Sequence, residues 1–403
     1  MIDVATARRL VVSDVTPLPA ELVGLGDAVG RVLAADVFAR HDQPAASVSA
    51  MDGYAVRADD VVQLPASLAV AGISKAGGRP PPPLGGGEAV RIFTGAALPA
   101  GADTIVIQEE TDAVGDRVRI RAAPPAGRYI RGAGGDFRTG ERLLAAGRRL
   151  DPRAVALAAA GGAVWLRVRR QPRIAILATG DELVLPGEAD AAGRTINSNS
   201  LLLAGEIRRA GGIPMDLGVA GDDRAAIADA IVAASGADAL VTLGGASVGD
   251  FDLVGEGLAA AGYRPVFERV AMRPGKPTGF GRLSHLSSMP VLVLPGNPVS
   301  AAITARLFLL PLMAALMGLA GDDGDSSQRP AELATPLAAN DRRQDYLRAT
   351  ITPRPGRIPL VEAFSRQDSA LLRLYADANA LIVRPPFAPA AAPGQIVPVL
   401  HLD

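Results

Sequence analysis

Between residues 172 and 320 one pattern repeats: a short β-branched or apolar run, a turn bearing glycine or acid, then a stretch with amphipathic helical spacing. RIAILATG (173–180) ends on glycine. NSNSLLLAGEIRRAGG (197–212) offers Asn and Ser as caps, a Leu/Ile stripe and a Gly pair as the stop. IPMDLGVAGDD (213–223) reads as strand then turn, and DDRAAIADAIVAASG (222–236) as a helix with acids at its start. ADALVTLGG (237–245) is the next strand, and PVLVLPGNPVSAAITARLFLL (290–310) is strand, turn, helix. Strands alternating with helices predict a parallel, doubly wound sheet. Such sheets bind ligands beyond the carboxyl ends of their strands. Here those ends are TGDEL, AGDD, GGASVGDFD and PGNPVS, all polar or glycine-rich.

The flanking segments differ in kind, and 403 residues suffice for two or three domains. Residues 45–140 are rich in Gly and Pro, with short strands such as AVRIFTG and RVRIRA and a loop, GGRPPPPLGGG, at 77–87. Segment 4–40 carries two helical patterns, ATARRLVVSDV and AVGRVLAADVFA. After a polar linker at 321–330, YLRATIT, ALIVRPP and QIVPVLHL read as strands of a small β barrel. The fold class expected is thus α/β multidomain: a doubly wound α/β sheet domain, a β-rich domain, a helical/linker domain and a small C-terminal β barrel. LFLLPLMAALMGLA (307–320), interrupted by Pro311, is too short to span a bilayer and reads as a buried helix. MIDVATARRLVV lacks the apolar core and cleavage site of a signal peptide, which gives a cytoplasmic expectation and no membrane partner.

Composition narrows the chemistry. A formal charge of −1 argues against a nucleic-acid binder, so any anionic ligand needs a local cluster of cations. Without cysteine there is no thiolate metal site and no thiol nucleophile. The three histidines, His41, His285 and His401, are too scattered for a His-rich zinc site, and no GxSxG elbow supports a serine triad. Carboxylates, Lys/Arg, hydroxyls and backbone N–H groups remain.

Two stretches use those groups. In LVTLGGASVGDFD (240–252), successive glycines let backbone N–H groups converge on an anion, and the nearby Asp250 and Asp252 call for a bridging cation. Oxygen-only ligands suit Mg2+. The turn lacks the lysine of a P-loop and the spacing of a Rossmann fingerprint. RPGKPTGFG (273–281) sets Arg273 and Lys276 on a loop stiffened by Pro and Gly, which reduces the entropy lost on binding an oxyanion. Taken singly, a tight turn and two solvated cations explain these stretches as well.

Order in the chain decides otherwise. SAMDGYAVR (49–57), RIFTGAALPAGADTIVIQEE (91–110), IRGAGGDF (130–137), ATGDELV (178–184), GGASVGDFD (244–252), RPGKPTGFG and LPGNPVSA (294–301) occur in succession. With them the chain closely resembles, along essentially its whole length, the molybdopterin molybdotransferases of the MoeA type, related to the gephyrin E domain. The resemblance implies a four-part subunit: a helical/linker domain (1–44 with 139–171), a β-rich domain with the MDGYA motif (45–138), an α/β molybdopterin-binding domain (172–320) and a C-terminal barrel (325–403). It also implies an elongated homodimer with composite active sites, in which the MDGYA domain of one subunit covers the sheet edge of its partner. The implied transferase reaction inserts molybdate into adenylylated molybdopterin, releases AMP and uses a divalent metal, here Mg2+. An upstream adenylyltransferase and acceptor molybdoenzymes are the implied protein partners.

The resemblance assigns roles by motif position. Asp52 and Thr94 match acidic and hydroxyl site residues, and Arg131 and Asp136 match an Arg…Gly-x-Asp element. Glu182, Asp222 and Asp252 match the acids of the sheet edge, with Asp252, and Asp222 beside it, as metal ligands. Gly244, Gly245, Ser247 and Gly249 form the anion-binding turn. The molybdate pocket maps onto Arg273, Lys276, Pro277 and Ser300, with Arg343 and Ser369 from the barrel; Pro295, Asn297 and Pro298 shape the GNP turn. The chain departs from the family at Leu243, often Thr or Ser; at Arg273, often Lys; and at Asn197-Ser198-Asn199, usually an Asp-containing stretch.

Charge then dictates the expected mechanism. Molybdate and a pyrophosphate-linked pterin repel unless cations intervene, so Lys276, Arg273 and Arg343 would hold molybdate while Mg2+ polarises the pyrophosphate. Two alternatives stand beside it. A molybdopterin adenylyltransferase shares the GGxSxG turn but lacks the MDGYA domain and the barrel, and a gephyrin-like scaffold needs no chemistry.

Overall fold

The computed structural model describes residues 1–79, 81–188, 193–245, 253–284, 288–319 and 328–402. They form two compact units, Leu22–Val29 with Leu33–Val168, and Met1–Glu21 with Gly30–Val32 and Arg169–Asp403.

In the first unit a six-stranded sheet runs in the order Thr104–Ile107, Gly53–Val56, Glu88–Ile92, Ala66–Ser74, Arg117–Ile120, Thr111–Val114. Alternation places Tyr54, Val56 and Val106 in the core on one face and Ala55, Val90 and Ile105 in the core on the other. A second core gathers Leu33, Val37, Leu144, Leu150 and Val168 around the helix Pro152–Ala160, which Asp151 caps. Here the structure corrects the second helical pattern. In AVGRVLAADVFA, Gly30 takes φ 83°, Leu33 bridges Val168, and Val37–Phe38 pairs with Arg142–Leu144. Burial of Leu33 and Val37 against that core overrides the helical spacing.

In the second unit the predicted strands and helices between 173 and 316 are present. The sheet order is Ile213–Ala220, Arg173–Thr179, Ala239–Leu243, Met289–Leu294, Gly279–Leu283, Tyr263–Phe267. Ile174 and Ile176 pack with Leu203 and Ile207 of the helix Asn199–Arg209. Ala175 and Leu177 pack on the opposite face with Ile227 and Ile231 of the helix Arg224–Ala233. Each such Leu or Ile side chain, fully buried, contributes about 1.5–3 kcal/mol, so the doubly wound arrangement is driven from both faces. One expectation needs correcting: five strands run the same way, but Gly279–Leu283 runs against them and pairs antiparallel with both Met289–Leu294 and Tyr263–Phe267. No helix separates Tyr263–Phe267 from Gly279–Leu283, so that segment returns directly as an antiparallel edge.

The apolar 307–320 run belongs to a helical segment, Pro298–Leu316, long and apolar enough to cross a membrane by composition, yet 83% of its most apolar window is buried in this domain. Pro311 cannot donate to Leu307, and just before it the helix widens into a π segment, Ala305–Leu309. Beyond it five strands close a barrel: Gln344–Arg354 pairs with both Arg357–Ala363 and Ala380–Arg384, and Ile396–His401 and Gln328–Leu333 complete the ring.

Candidate active site

The carboxyl ends of the Arg173, Ala239 and Met289 strands open onto a cavity of about 760 Å3. Its floor is the turn after Leu243. Gly244 (φ 100°) donates its N–H to the Leu294 carbonyl at 3.1 Å, and Gly245 follows at φ 65°. A Cβ on Gly244 would lie 2.8 Å from the Thr179 carbonyl oxygen, and one on Gly245 2.1 Å from a Val254 methyl. Conformation and close packing therefore both demand glycine at these positions. The next residues of the turn, including Ser247, Gly249, Asp250 and Asp252, lie outside the described residues.

Side chains tie the neighbouring turns to this floor. Thr179 Oγ1 donates to the Leu243 carbonyl at 3.3 Å, and Asn199 Nδ2 to the Gly296 carbonyl at 2.6 Å. Pro295 and Pro298 bracket Gly296-Asn297, and Pro298 opens the long helix where no N–H is required. Asn297 Nδ2 donates to Ser369 Oγ at 3.0 Å, and Val299 N to the Ser369 carbonyl at 3.1 Å. Ser369 thus sits at the start of that helix, with Ala370 on the cavity wall. Ser300 lies in the first turn and is buried. Of the sequence-predicted residues, Glu182, Gly244, Gly245, Lys276, Pro277, Pro295, Asn297 and Pro298 all line the cavity.

The cations divide into two sets. Lys276 lines the cavity, on a loop closed by the Val270 N–H to Lys276 carbonyl bond at 3.0 Å and by Thr278 Oγ1 on the Gly275 carbonyl at 2.7 Å. Arg273 is committed elsewhere. Residues Met272 and Arg273 pair with Gln344 and Asp345 of the barrel, and the Arg273 guanidinium binds the Asp345 carboxylate and lies 3.6 Å from Asp341. Arg343 binds Asp341 at 2.8 Å. That contact, with the Arg343 N–H, holds the Asp341 carboxyl at about 2, well below its ordinary value. Neither Arg273 nor Arg343 is among the residues lining the cavity, and both are partners in an ion-pair cluster with Asp341 and Asp345.

The carboxylates are spread along the edge. Glu182 follows Gly180, over which its carboxylate folds: a Cβ there would meet Glu182 Oε2 at 2.4 Å. Asp222 N donates to Asp181 Oδ1 at 2.9 Å, and Asp181 N approaches Asp222 Oδ2 at 3.5 Å, linking the ends of two strands. Asp223 caps the following helix through Ala226 N at 2.9 Å. Among the described residues no three carboxylates or histidines gather closely enough to hold a metal ion.

In the other unit, Asp52 Oδ1 accepts from Thr94 N at 2.7 Å and from Thr94 Oγ1 at 2.8 Å. These two bonds hold the Asp52 carboxyl below its ordinary value. Arg91 lies between the Tyr54 and Phe93 rings, 5.1 and 4.9 Å from their centroids, and donates to the Gly53 carbonyl at 3.0 Å. Ser49 pairs with Ile130 and accepts from Gly95 N at 2.8 Å, so the strand carrying Arg131 lies beside the Asp52–Thr94 pair. Asp136 is exposed, its N–H on the Gln43 carbonyl at 2.9 Å.

Sequence reasoning missed Arg269, which lines the cavity, and Arg348. The Arg348 guanidinium is buried and donates to the Asp368 carbonyl at 2.7 Å and the Arg366 carbonyl at 3.2 Å, fixing the segment that leads to Ser369. Neither sits in a glycine-rich motif, so no sequence signal singled them out.

Comparison with known proteins places this architecture. Residues 2–162 match the family model for the MoeA N-terminal region (domain I and II), 175–315 that of a probable molybdopterin binding domain, and 330–402 that of the MoeA C-terminal region (domain IV). The molybdopterin molybdenumtransferase of Nostoc sp. (strain PCC 7120) is 35% identical over 95% of this chain and 88% of its own length. Molybdopterin molybdenumtransferase 2 of Mycobacterium tuberculosis (strain H37Rv) is 37% identical over 89% of each. Two crystal structures of the molybdopterin biosynthesis MoeA protein from Pyrococcus horikoshii, 29% and 26% identical, superpose over 100% and 99% of this chain, each with a TM-score of 0.85. With this identity spread across all its domains, the chain belongs to the molybdopterin molybdenumtransferase family of the MoeA type.

Proposed function

We propose that this transferase inserts molybdenum from molybdate into adenylylated molybdopterin, releasing AMP, at the cavity beyond the Arg173, Ala239 and Met289 strands. The observation that carries this reading is that cavity itself: about 760 Å3, at the strand ends, with Lys276 on its wall. That volume suits a ligand of nucleotide size, since small-molecule pockets run from about 300 to 1,000 Å3. Lys276 supplies charge to an oxyanion, Asn297 and Ser369 supply hydrogen-bonding groups at the helix start, and the Gly244–Gly245 turn lets the ligand approach the backbone. Arg273 and Arg343 shape the molybdate side through Asp341 and Asp345, and Ser300 and Pro277 complete it. Holding two anions side by side converts their encounter into a step within one complex, with no side-chain nucleophile required.

Asp222 and Asp252 are the residues proposed to hold Mg2+. Asp222 is exposed and has no ion-pair partner among the described residues, and a donor set of oxygens suits a hard cation. When bound, the ion offsets the pyrophosphate charge. Glu182, Asp52, Thr94, Arg131 and Asp136 are proposed to orient the pterin nucleotide, the last four contributed by a second subunit of a homodimer. The four segments 1–44 with 139–171, 45–138, 172–320 and 325–403 are the proposed domains. A cytoplasmic location, an upstream adenylyltransferase and acceptor molybdoenzymes complete the reading, with no role for nucleic acid or membrane. The test is AMP release from adenylylated molybdopterin with Mg2+, with and without molybdate. Molybdate-dependent release, with Lys276→Ala needing roughly ten- to hundredfold more molybdate, is expected from a lost charged hydrogen bond of about 1.5–3 kcal/mol. ATP consumption in place of AMP release would identify an adenylyltransferase, and neither activity a scaffold.

A further inference from the structure

We propose that Arg269 is a second binding residue of this pocket, meeting a substrate oxyanion together with Lys276. The proposal rests on the function read above and adds a residue that no motif assigns. Arg269 precedes the loop that carries Lys276, and the backbone brings the two together. Val270 N donates to the Lys276 carbonyl at 3.0 Å, while the Arg269 carbonyl accepts from Ile2 N at 3.1 Å. The seven-residue excursion from 270 to 276 therefore closes on itself, with Arg269 and Lys276 flanking its base. Both residues line the same cavity.

Neither Arg269 nor Lys276 has a side-chain hydrogen bond or ion pair among the described residues. By contrast, Arg273 is bound to Asp345, Arg343 to Asp341 and Arg170 to Asp238. Glu182 is the one carboxylate among the described residues lining the cavity, and its carboxylate folds over Gly180. Two cations at the base of one loop, facing a shared concavity, repel until an anion sits between them. Arginine also presents a planar fork of donors that matches tetrahedral or carboxylate-like oxygens two at a time, which the lysine cannot do. The pair thus divides the work: a mobile point charge and a rigid fork on a single oxyanion. Molybdate and the phosphates of the pterin nucleotide share that chemistry.

The test uses the full-length chain and two titrations of AMP release, one in molybdate and one in adenylylated molybdopterin. Arg269→Gln is shorter but keeps a planar hydrogen-bonding end group without the charge, and should raise the half-saturating concentration in one titration by about 10- to 100-fold, as loss of a charged hydrogen bond does. The titration that shifts identifies the oxyanion as molybdate or as phosphate. Arg269→Lys should recover part of the loss, and added salt should weaken wild type more than Arg269→Gln. A wild-type measurement stands beside the variants: saturating substrate should protect Arg269 from an arginine-directed dicarbonyl reagent, read by peptide mass spectrometry. Unshifted titrations in Arg269→Gln, or no protection, overturn the proposal. If Lys276→Ala shifts while Arg269→Gln does not, only Arg269 is removed from the site; if neither shifts, the cavity itself is misassigned.

Discussion

Arg273 and Asp345 offer the sharpest perturbation, because their exposures differ so widely. The Asp345 side chain is 5% exposed and the Arg273 side chain 48% exposed. Asp345 Oδ1 is buried without a partner among the described residues, so the carboxylate depends on the Arg273 guanidinium at its other oxygen. Removing one partner of a fully buried pair costs about 3–5 kcal/mol, whereas an exposed pair contributes about 0.2–1 kcal/mol. With one partner half in water, Arg273→Ala should cost about 1–3 kcal/mol, lowering the melting temperature by about 2–4 °C per kcal/mol for a unit of this size. Asp345→Asn keeps the shape but removes the charge left stranded. The double variant should therefore be more stable than the two single losses predict, with a coupling of about 0.5–3 kcal/mol measured by denaturant unfolding. Function gives the second readout. The pairing of Met272 and Arg273 with Gln344 and Asp345 anchors the loop of Lys276, so both single variants should weaken molybdate use in the AMP assay. If Arg273 bound molybdate directly, Asp345→Asn would free it and improve molybdate use while Arg273→Ala abolished it. Opposite signs, or strict additivity in stability, would refute the positioning role.

Two further outcomes are expected. The Asp341 carboxyl titrates at about 2, depressed first by the Arg343 side chain, so its contribution to stability is present above the ordinary 3.8 and lost as pH falls toward 2. In Arg343→Ala its carboxyl titration, followed by NMR, should move up toward 3.8; an unmoved titration would remove Arg343 as the cause. For the proposed homodimer, Asp52→Asn and Asp252→Asn, each inactive alone, should recover about a quarter of wild-type AMP release when their subunits are mixed, because half the dimers then hold one intact composite site of two. Exchange confirmed by native mass spectrometry with no recovered activity would defeat the shared site.

Much of this protein is legible in its residue order. The 173–179, 213–220, 239–243 and 289–294 strands declare themselves because both faces of a buried sheet select β-branched and aliphatic residues. The same order gives the binding edge, since the turns that end those strands must expose backbone, and only glycine fits at Gly244 and Gly245. Residues 28–39 show where periodicity misleads: helical spacing was outvoted by burial of Leu33 and Val37 against strands more than a hundred residues away. The antiparallel edge at 263–283 was equally hidden, because strand direction depends on how the chain returns, which no local pattern records. Charge was the least legible property of all. Arg273, Lys276 and Arg343 look alike in a sequence, yet two of them are committed to Asp341 and Asp345 and one faces a cavity. Asp345 lies 72 residues beyond Arg273, and Arg269 seven before Lys276. Local propensity sets which segments become strands and turns; whether a cation meets a carboxylate or an open pocket depends on which distant segments the core packs together.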